Sequence, residues 1–230
     1  MSTERTAQLL GKTQIFAGLD DEQLVALANA SIRRSYERGE SIFHQGDPGE
    51  ALFVIADGIV KIVLLSEEGD EMVLATLGTG DTFGELALID GGPRSASARA
   101  VKPTTVFALP RESFLNAVRD NPRLLESLHQ TLGMLLRSLL AQASDLVFMD
   151  LAGRVAKLLM ALAEKEGRHQ DGGITLDLHL SQSGLAGMVG GSRPSVNQIL
   201  KSFEARGYLE VKGRHIFIKH PESLRRRAGL

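Results

Sequence analysis

Glu85 and Arg94 stand nine residues apart across a glycine-rich turn, in the run FGELALIDGGPRS, with Ser95 directly after the arginine. A guanidinium, a hydroxyl and nearby backbone N–H groups can together bind an anionic phosphodiester. The carboxylate can accept a hydrogen bond from a ribose 2′-hydroxyl, and a short helical turn between the two would help hold the phosphate. On the chemistry alone, the same residues read equally as a surface ion pair worth about 0–1 kcal/mol.

A second constellation occupies residues 182–201, QSGLAGMVGGSRPSVNQILK. Two short helices broken at Gly190-Gly191 are predicted. Ala186 supplies the small residue needed where such helices cross, and Gly190 tolerates left-handed backbone in the turn. Leu185, Val189, Val196 and Ile199 are the expected internal core. Ser192 caps the second helix, and Pro194 sits in its first turn, where a missing N–H costs nothing. Arg193, Ser195, Asn197, Gln198 and Lys201 then lie on or near the outward face. The segment 207–218 is predicted as a hairpin, a wing with Lys212 and Arg214 at its tip. Residues 1–149 carry a net charge of −7 and residues 150–230 a net charge of +5. A helix-turn-helix on a basic second part is the footprint of a protein that binds nucleic acid.

The elements that must position these groups are legible in outline. The first thirty residues read as helical, with Asp20-Asp21-Glu22 at a helix start and Leu24, Leu27 and Ala28 on one face. From Ile32 to Leu109, short β-rich runs alternate with glycine and acidic turns, and Gly69 is predicted at a hairpin tip. That texture indicates a sandwich or barrel of jelly-roll type. After Asn121-Pro122, Leu125, Leu128, Leu132, Leu135, Leu139, Gln142 and Leu146 alternate steps of three and four. This is a heptad seam with one polar member, widened by Leu124, Leu136, Leu140, Ala143 and Val147. One side can pack on the β domain while the seam meets a second chain. Asp150 is the expected N-cap of a further helix. GRHQDGG reads as a loop, and residues 174–178 as a strand. The fold class is α+β, in three parts: a β-roll over residues 1–119, a dimerisation helix and hinge over 120–149, and a winged helix-turn-helix over 150–230.

Composition excludes several functions. The chain has 230 residues and no cysteine, so disulfides, thiol catalysis, zinc fingers and cysteine-ligated iron–sulfur clusters are ruled out. His44, His129, His169, His179, His215 and His220 form no obvious ligand pair, which argues against a haem sensor. No nucleophile–base set is present, so the chain is not read as an enzyme, and no bound cofactor or metal is expected. No apolar run approaches a membrane span, and the N-terminus lacks a secretory pattern, so a cytoplasmic protein without membrane partners is expected.

The run FGELALIDGGPRSASARA resembles the phosphate-binding cassette of cyclic-nucleotide-binding domains, and ALFVIADGIVKI with SEEGDEMVLATLGTGDTFGE resembles their β-roll. DLVFMDLAGRVAKLL and LSQSGLAGMVGGSRPSVNQILKSFEARGYLEVKGR resemble the hinge and winged helix-turn-helix of the CRP/FNR family of bacterial transcription factors. The resemblance implies a homodimeric regulator that binds double-stranded DNA at an inverted repeat. It also implies RNA polymerase as a partner and a cyclic nucleotide bound between the β-roll and the dimer helix. Glu85 would be the ribose contact, with Gly84 and Leu86 beside it. Arg94 and Ser95 would contact the cyclic phosphate, with Ala96 contributing backbone. Leu139 and Leu140 fall at the purine-contact positions, where the best-known member has a threonine and a serine. The resemblance implies cAMP as the effector, and the two leucines, which offer no hydrogen bond to a purine, leave cGMP, another ligand or none as the alternative. DNA contacts are implied for Ser181, Gln182, Ser192, Arg193, Ser195, Asn197, Gln198, Lys201, Lys212 and Arg214. Arg193 keeps the guanine-reading arginine, whereas Pro194 and Gln198 replace a base-reading glutamate and arginine.

Overall fold

The computed structural model describes residues 2–66, 71–170, 172–178, 182–213 and 215–230. The positions predicted for Gly69, Ser181 and Arg214 lie outside the described residues. The chain divides into two compact units within its longest helix, between Ser138 and Leu139.

The first unit opens with α1 (Thr3–Gly11), a single 3-10 turn over Gln14–Phe16, and α2 (Asp21–Ala30). Asp20 and Gln23 form a reciprocal capping box that fixes the start of α2. The strands follow: β1 (Ile32–Tyr36), β2 (Ser41–Phe43), β3 (Ala51–Asp57), β4 (Val60–Leu65), β5 (Glu71–Leu77) and β6 (Thr82–Phe83). Next come the one-turn helix α3 (Leu86–Asp90), β7 (Ser97–Ala100), β8 (Thr104–Pro110), α4 (Arg111–Asp120) and α5 (Pro122–Phe148). The strands form two sheets, ordered β1-β8-β3-β6 and β2-β7-β4-β5. Side chains alternate faces along a strand. On β3, Leu52 and Val54 therefore face one core, with Leu10, Phe16, Phe114 and Leu124 from the helices. Phe53 and Ile55 face another core, with Val60, Phe83 and Ala98. This double burial explains the near-continuous apolar run LFVI.

α5 begins with Pro122 at its first position, where proline costs no hydrogen bond. The expected seam is divided by the structure. Leu128 is 4% exposed and joins Leu124 in the unit's own core, with Leu132 packed against it. The exposed large apolar positions of α5 are Leu125, Met134, Leu136, Leu139, Leu140, Leu146, Val147 and Phe148. Leu128 and Leu132 thus belong to the face that holds α5 on its own unit, a correction to the seam read from periodicity.

The second unit contains the end of α5, then α6 (Leu151–Glu166), β9 (Arg168–Gln170), β10 (Gly173–Asp177), α7 (Gln182–Val189) and α8 (Arg193–Ala205). It closes with β11 (Leu209–Lys212), β12 (His215–Ile218) and α9 (Pro221–Arg227). The strands form an antiparallel sheet ordered β11-β12-β10-β9. Residues 168–170, expected as loop, pair with β10 through Ile174 opposite His169. The Asp150 side chain accepts from the Gly153 N–H at 2.8 Å and caps α6 as expected. Its other oxygen pairs with Arg227 of α9. The core joins Leu159 and Met160 of α6 to Leu185, Val196, Leu200, Phe203 and Leu224. Among the described residues, no helix is long and apolar enough to cross a membrane.

Candidate functional site

In the first unit, the stretch from β6 to β7 builds one compact constellation. Gly84 follows β6 with a φ of +85°, a left-handed conformation that favours glycine. A Cβ there would lie 2.6 Å from Nη1 of Arg94, so the missing side chain is also what admits the arginine. Glu85 occupies the N-cap position of α3, and the helix ends at Gly91 in left-handed backbone. The chain then runs antiparallel to the loop after β2. Gly46 donates to the Arg94 carbonyl at 2.9 Å, and the Arg94 N–H donates to the Asp47 carbonyl at 2.9 Å.

Arg94 is 4% exposed. Nη1 donates to the Gly84 carbonyl and Nη2 to the Ala51 carbonyl, each at 2.7 Å. Nε is buried and makes no hydrogen bond among the described residues. Burial pulls the guanidinium's pKa down, opposed by the charges of Glu85, Asp47 and Glu50. An arginine nonetheless keeps its charge in a protein. Burial likewise pushes the Glu85 carboxyl up, opposed by its own N–H and by Arg94. Leu86 and Ser95 are exposed, and Ala96 is buried at the start of the run into β7. The structure therefore gathers Gly84, Glu85, Leu86, Arg94, Ser95 and Ala96. A buried cation held by neutral carbonyls, with one nitrogen, Nε, lacking a partner among the described residues and a carboxylate beside it, is suited to an anion that carries a sugar hydroxyl. Leu139 and Leu140 lie on α5 in the second unit, exposed, without polar side-chain atoms.

In the second unit, α7 and α8 are joined by Gly190 and Gly191. Gly190 has a φ of +62°, and a Cβ on Gly191 would meet Leu151 at 2.6 Å. Ala186 is 4% exposed, as the helix crossing requires. Ser192 caps α8 by accepting from the Ser195 N–H at 3.3 Å, and the two hydroxyls lie 2.8 Å apart. Leu185, Val189 and Val196 are buried as expected, whereas Ile199 is only partly buried and Leu200 and Phe203 complete the core. Arg193, Gln198 and Lys201 are exposed on α8, and Lys212 is exposed at the end of β11. Ser192 is exposed too, while Gln182, Ser195 and Asn197 are half-buried. The Asn197 Oδ1 is buried without a partner among the described residues, so its carbonyl points inward rather than outward.

Sequence reasoning passed over two features. One is Arg154, whose guanidinium reaches the Val189 carbonyl at 2.8 Å and the Met149 carbonyl at 3.1 Å. The other is the aromatic cluster beside Arg94. Phe43, Phe53 and Phe83 come from three strands, and only tertiary pairing brings them together.

Two family profiles match the chain: the cyclic nucleotide-binding domain over residues 33–121 and the Crp-like helix-turn-helix domain over residues 153–227. The CRP-like cAMP-activated global transcriptional regulator of Mycobacterium tuberculosis is 34% identical over 221 residues, covering 96% of this chain and 99% of the relative. The chain belongs to the CRP/FNR family. The cyclic AMP receptor protein of Thermus thermophilus is also similar, 34% identical over 86% of this chain and 88% of that protein. Among solved structures, the c-di-GMP-responsive regulator CLP of Xanthomonas campestris aligns with a TM-score of 0.77 at 26% identity, covering 86% of this chain and 99% of that one. A CooA variant from Carboxydothermus hydrogenoformans aligns with a TM-score of 0.75 at 28% identity, over 87% and 88% of the two chains. This CRP/FNR member is a DNA-binding transcription regulator with a cyclic nucleotide-binding domain, and the family's members are regulators rather than enzymes. The Arg94 constellation lies in the first profile, and the α7–α8 pair in the second.

Proposed function

We propose that this regulator is a homodimer whose binding to an inverted-repeat operator is controlled by a cyclic nucleotide held at Arg94, Ser95 and Glu85. The observation that carries the reading is the buried Arg94 guanidinium, with neutral carbonyls as partners and Nε unused. A cyclic phosphodiester would take the remaining donors, and Glu85 would accept from the ribose hydroxyl. Several relatives are named for cAMP, which makes it the leading effector. Leu139 and Leu140 offer no hydrogen bond to a purine, which keeps cGMP, another ligand or none as alternatives; c-di-GMP is one such ligand, named for a structural neighbour.

The functional division runs 1–119, 120–149 and 150–230. α5 is one continuous helix of 27 residues that passes from the first unit into the second, and its exposed leucines would meet a second copy. Ligand would favour one arrangement of the hinge near Phe148–Asp150, by as much as its affinity differs between the two states. Arg193, Gln198 and Lys201 would enter the major groove from α8, and Lys212 would contact phosphate. RNA polymerase is the expected further partner and the cytoplasm the expected location.

Calorimetry with cAMP, cGMP and c-di-GMP tests the ligand half. One of them should bind wild type, and Arg94→Ala should lose about 2–5 kcal/mol of that binding, because a desolvated charge contact is removed. Equal binding by Arg94→Ala would overturn the assignment.

A further inference from the structure

We infer that Phe43 is a positioning residue for the nucleotide grip: its ring is the platform that holds the Arg94 guanidinium in the plane from which it meets a phosphate. The inference rests on the proposed role of Arg94 as the phosphate contact.

The guanidinium carbon lies 4.3 Å from the centroid of the Phe43 ring and 5.5 Å from that of Phe53. Phe53 and Phe83 stack at 5.1 Å with 14° between their planes. Phe43 leans on both, at 5.6 Å and 5.9 Å. The three rings come from β2, β3 and β6, so the platform is set by both sheets rather than by a single loop.

The arrangement addresses a specific difficulty. A buried guanidinium usually keeps a carboxylate partner, and such a partner would compete with an incoming phosphate. Among the described residues, no carboxylate lies within ion-pair distance of Arg94; its hydrogen bonds go to the Gly84 and Ala51 carbonyls. Those two bonds fix the Nη atoms but leave the plane free to tilt about the line between them. An aromatic face stabilises the charge without supplying a negative group, and it sets the tilt. Gly84 completes the cradle, since any Cβ there would strike Nη1. Nε is buried without a partner among the described residues, so its N–H need not abandon a protein acceptor on binding.

Two measurements on the full-length protein test this. The first is the Nε–H signal of Arg94 in 15N-resolved proton spectra of nucleotide-free protein, assigned by its loss in Arg94→Gln. In wild type it should be ring-current shifted and protected from exchange; Phe43→Leu should lose both properties and Phe43→Tyr should keep them. The second is calorimetry with cAMP and cGMP on the same proteins and on the Phe43→Leu/Arg94→Gln double variant. Phe43→Leu should weaken binding about three- to thirty-fold and Phe43→Tyr should restore it. In the Arg94→Gln background, Phe43→Leu should add nothing. A Nε–H signal unchanged in Phe43→Leu overturns the platform, as does an equal loss in Phe43→Leu and Phe43→Tyr. So does a Phe43→Leu loss undiminished without Arg94. If Arg94→Gln binds like wild type, the functional reading fails instead, and the spectra alone decide the platform.

Discussion

The Arg154 guanidinium donates from Nε to the Val189 carbonyl at 2.8 Å, tying the start of α6 to the last residue of α7. The same side chain reaches the carbonyls of Met149 at 3.1 Å and Leu146 at 3.4 Å, which α5 leaves without helical donors as it ends. One residue thereby caps two helix ends and fastens the hinge to the helix-turn-helix.

Arg154→Ala should therefore destabilise the second unit by about 1.5–3 kcal/mol, the range for hydrogen bonds to a charged group. Urea unfolding should show the loss, with weaker DNA binding and unchanged cyclic nucleotide binding. Wild-type unfolding in the variant would mean these three carbonyls are equally well served by water.

Gly84→Ala should abolish the nucleotide grip. A residue with a Cβ at φ +85° bears about 1–3 kcal/mol of strain, and this Cβ also collides with Arg94 Nη1 at 2.6 Å. Calorimetry should find no binding while circular dichroism reports an intact fold. Retained affinity would show that the Gly84–Arg94 approach is not required.

The two faces of α5 should respond differently to charge. Leu136→Asp and Leu140→Asp place carboxylates on the exposed stripe and should split the dimer in sedimentation without unfolding the chain. Leu128→Asp buries a charge in the unit's own core and should unfold it. A dimer that survives both surface substitutions would place the interface elsewhere.

Glu85 should impose a pH dependence. Burial raises its pKa in the folded state, so the folded protein holds the proton more tightly than the unfolded chain. Stability must then fall as pH rises from about 4.3, the ordinary glutamate value, through the raised one. Nucleotide affinity should rise across the same window, as the carboxylate becomes a better acceptor for the ribose hydroxyl. Urea unfolding and calorimetry should show both slopes in wild type and neither in Glu85→Gln; slopes that persist in the variant would assign them to another group.

Much of this was readable in the residues, for identifiable reasons. Turn glycines and short apolar runs marked the β-roll, and the resemblance carried by the arginine–serine run after a glycine turn pointed to the stretch that folds around Arg94. Gly190, Ser192 and Pro194 marked the helix-turn-helix, because each answers a local backbone demand. What escaped is non-local. β9 is a polar stretch that becomes a strand only through its pairing with β10. α9 is short, signalled by Pro221 and by Leu224 and Ala228 at helical spacing, and is held by burial of that pair. The α5 leucines cover enough of the helix for two interfaces, and periodicity cannot say which stripe faces the protein's own core. The phenylalanines beside Arg94 lie ten and thirty residues apart in sequence and meet only after both sheets close.

The central claim, cyclic-nucleotide control of a two-fold DNA reader, is tested most directly by selecting binding sites from random DNA with and without cAMP or cGMP. A dimer presenting α8 twice should enrich an inverted repeat with half-sites about 10–10.5 bp apart, and should do so far more strongly with the nucleotide present. Arg193→Ala should relax one guanine per half-site at a cost of about 1–3 kcal/mol. Lys201→Ala and Lys212→Ala should weaken all sites alike and flatten the salt dependence. A non-palindromic consensus, or equal enrichment with and without either nucleotide, would contradict the account.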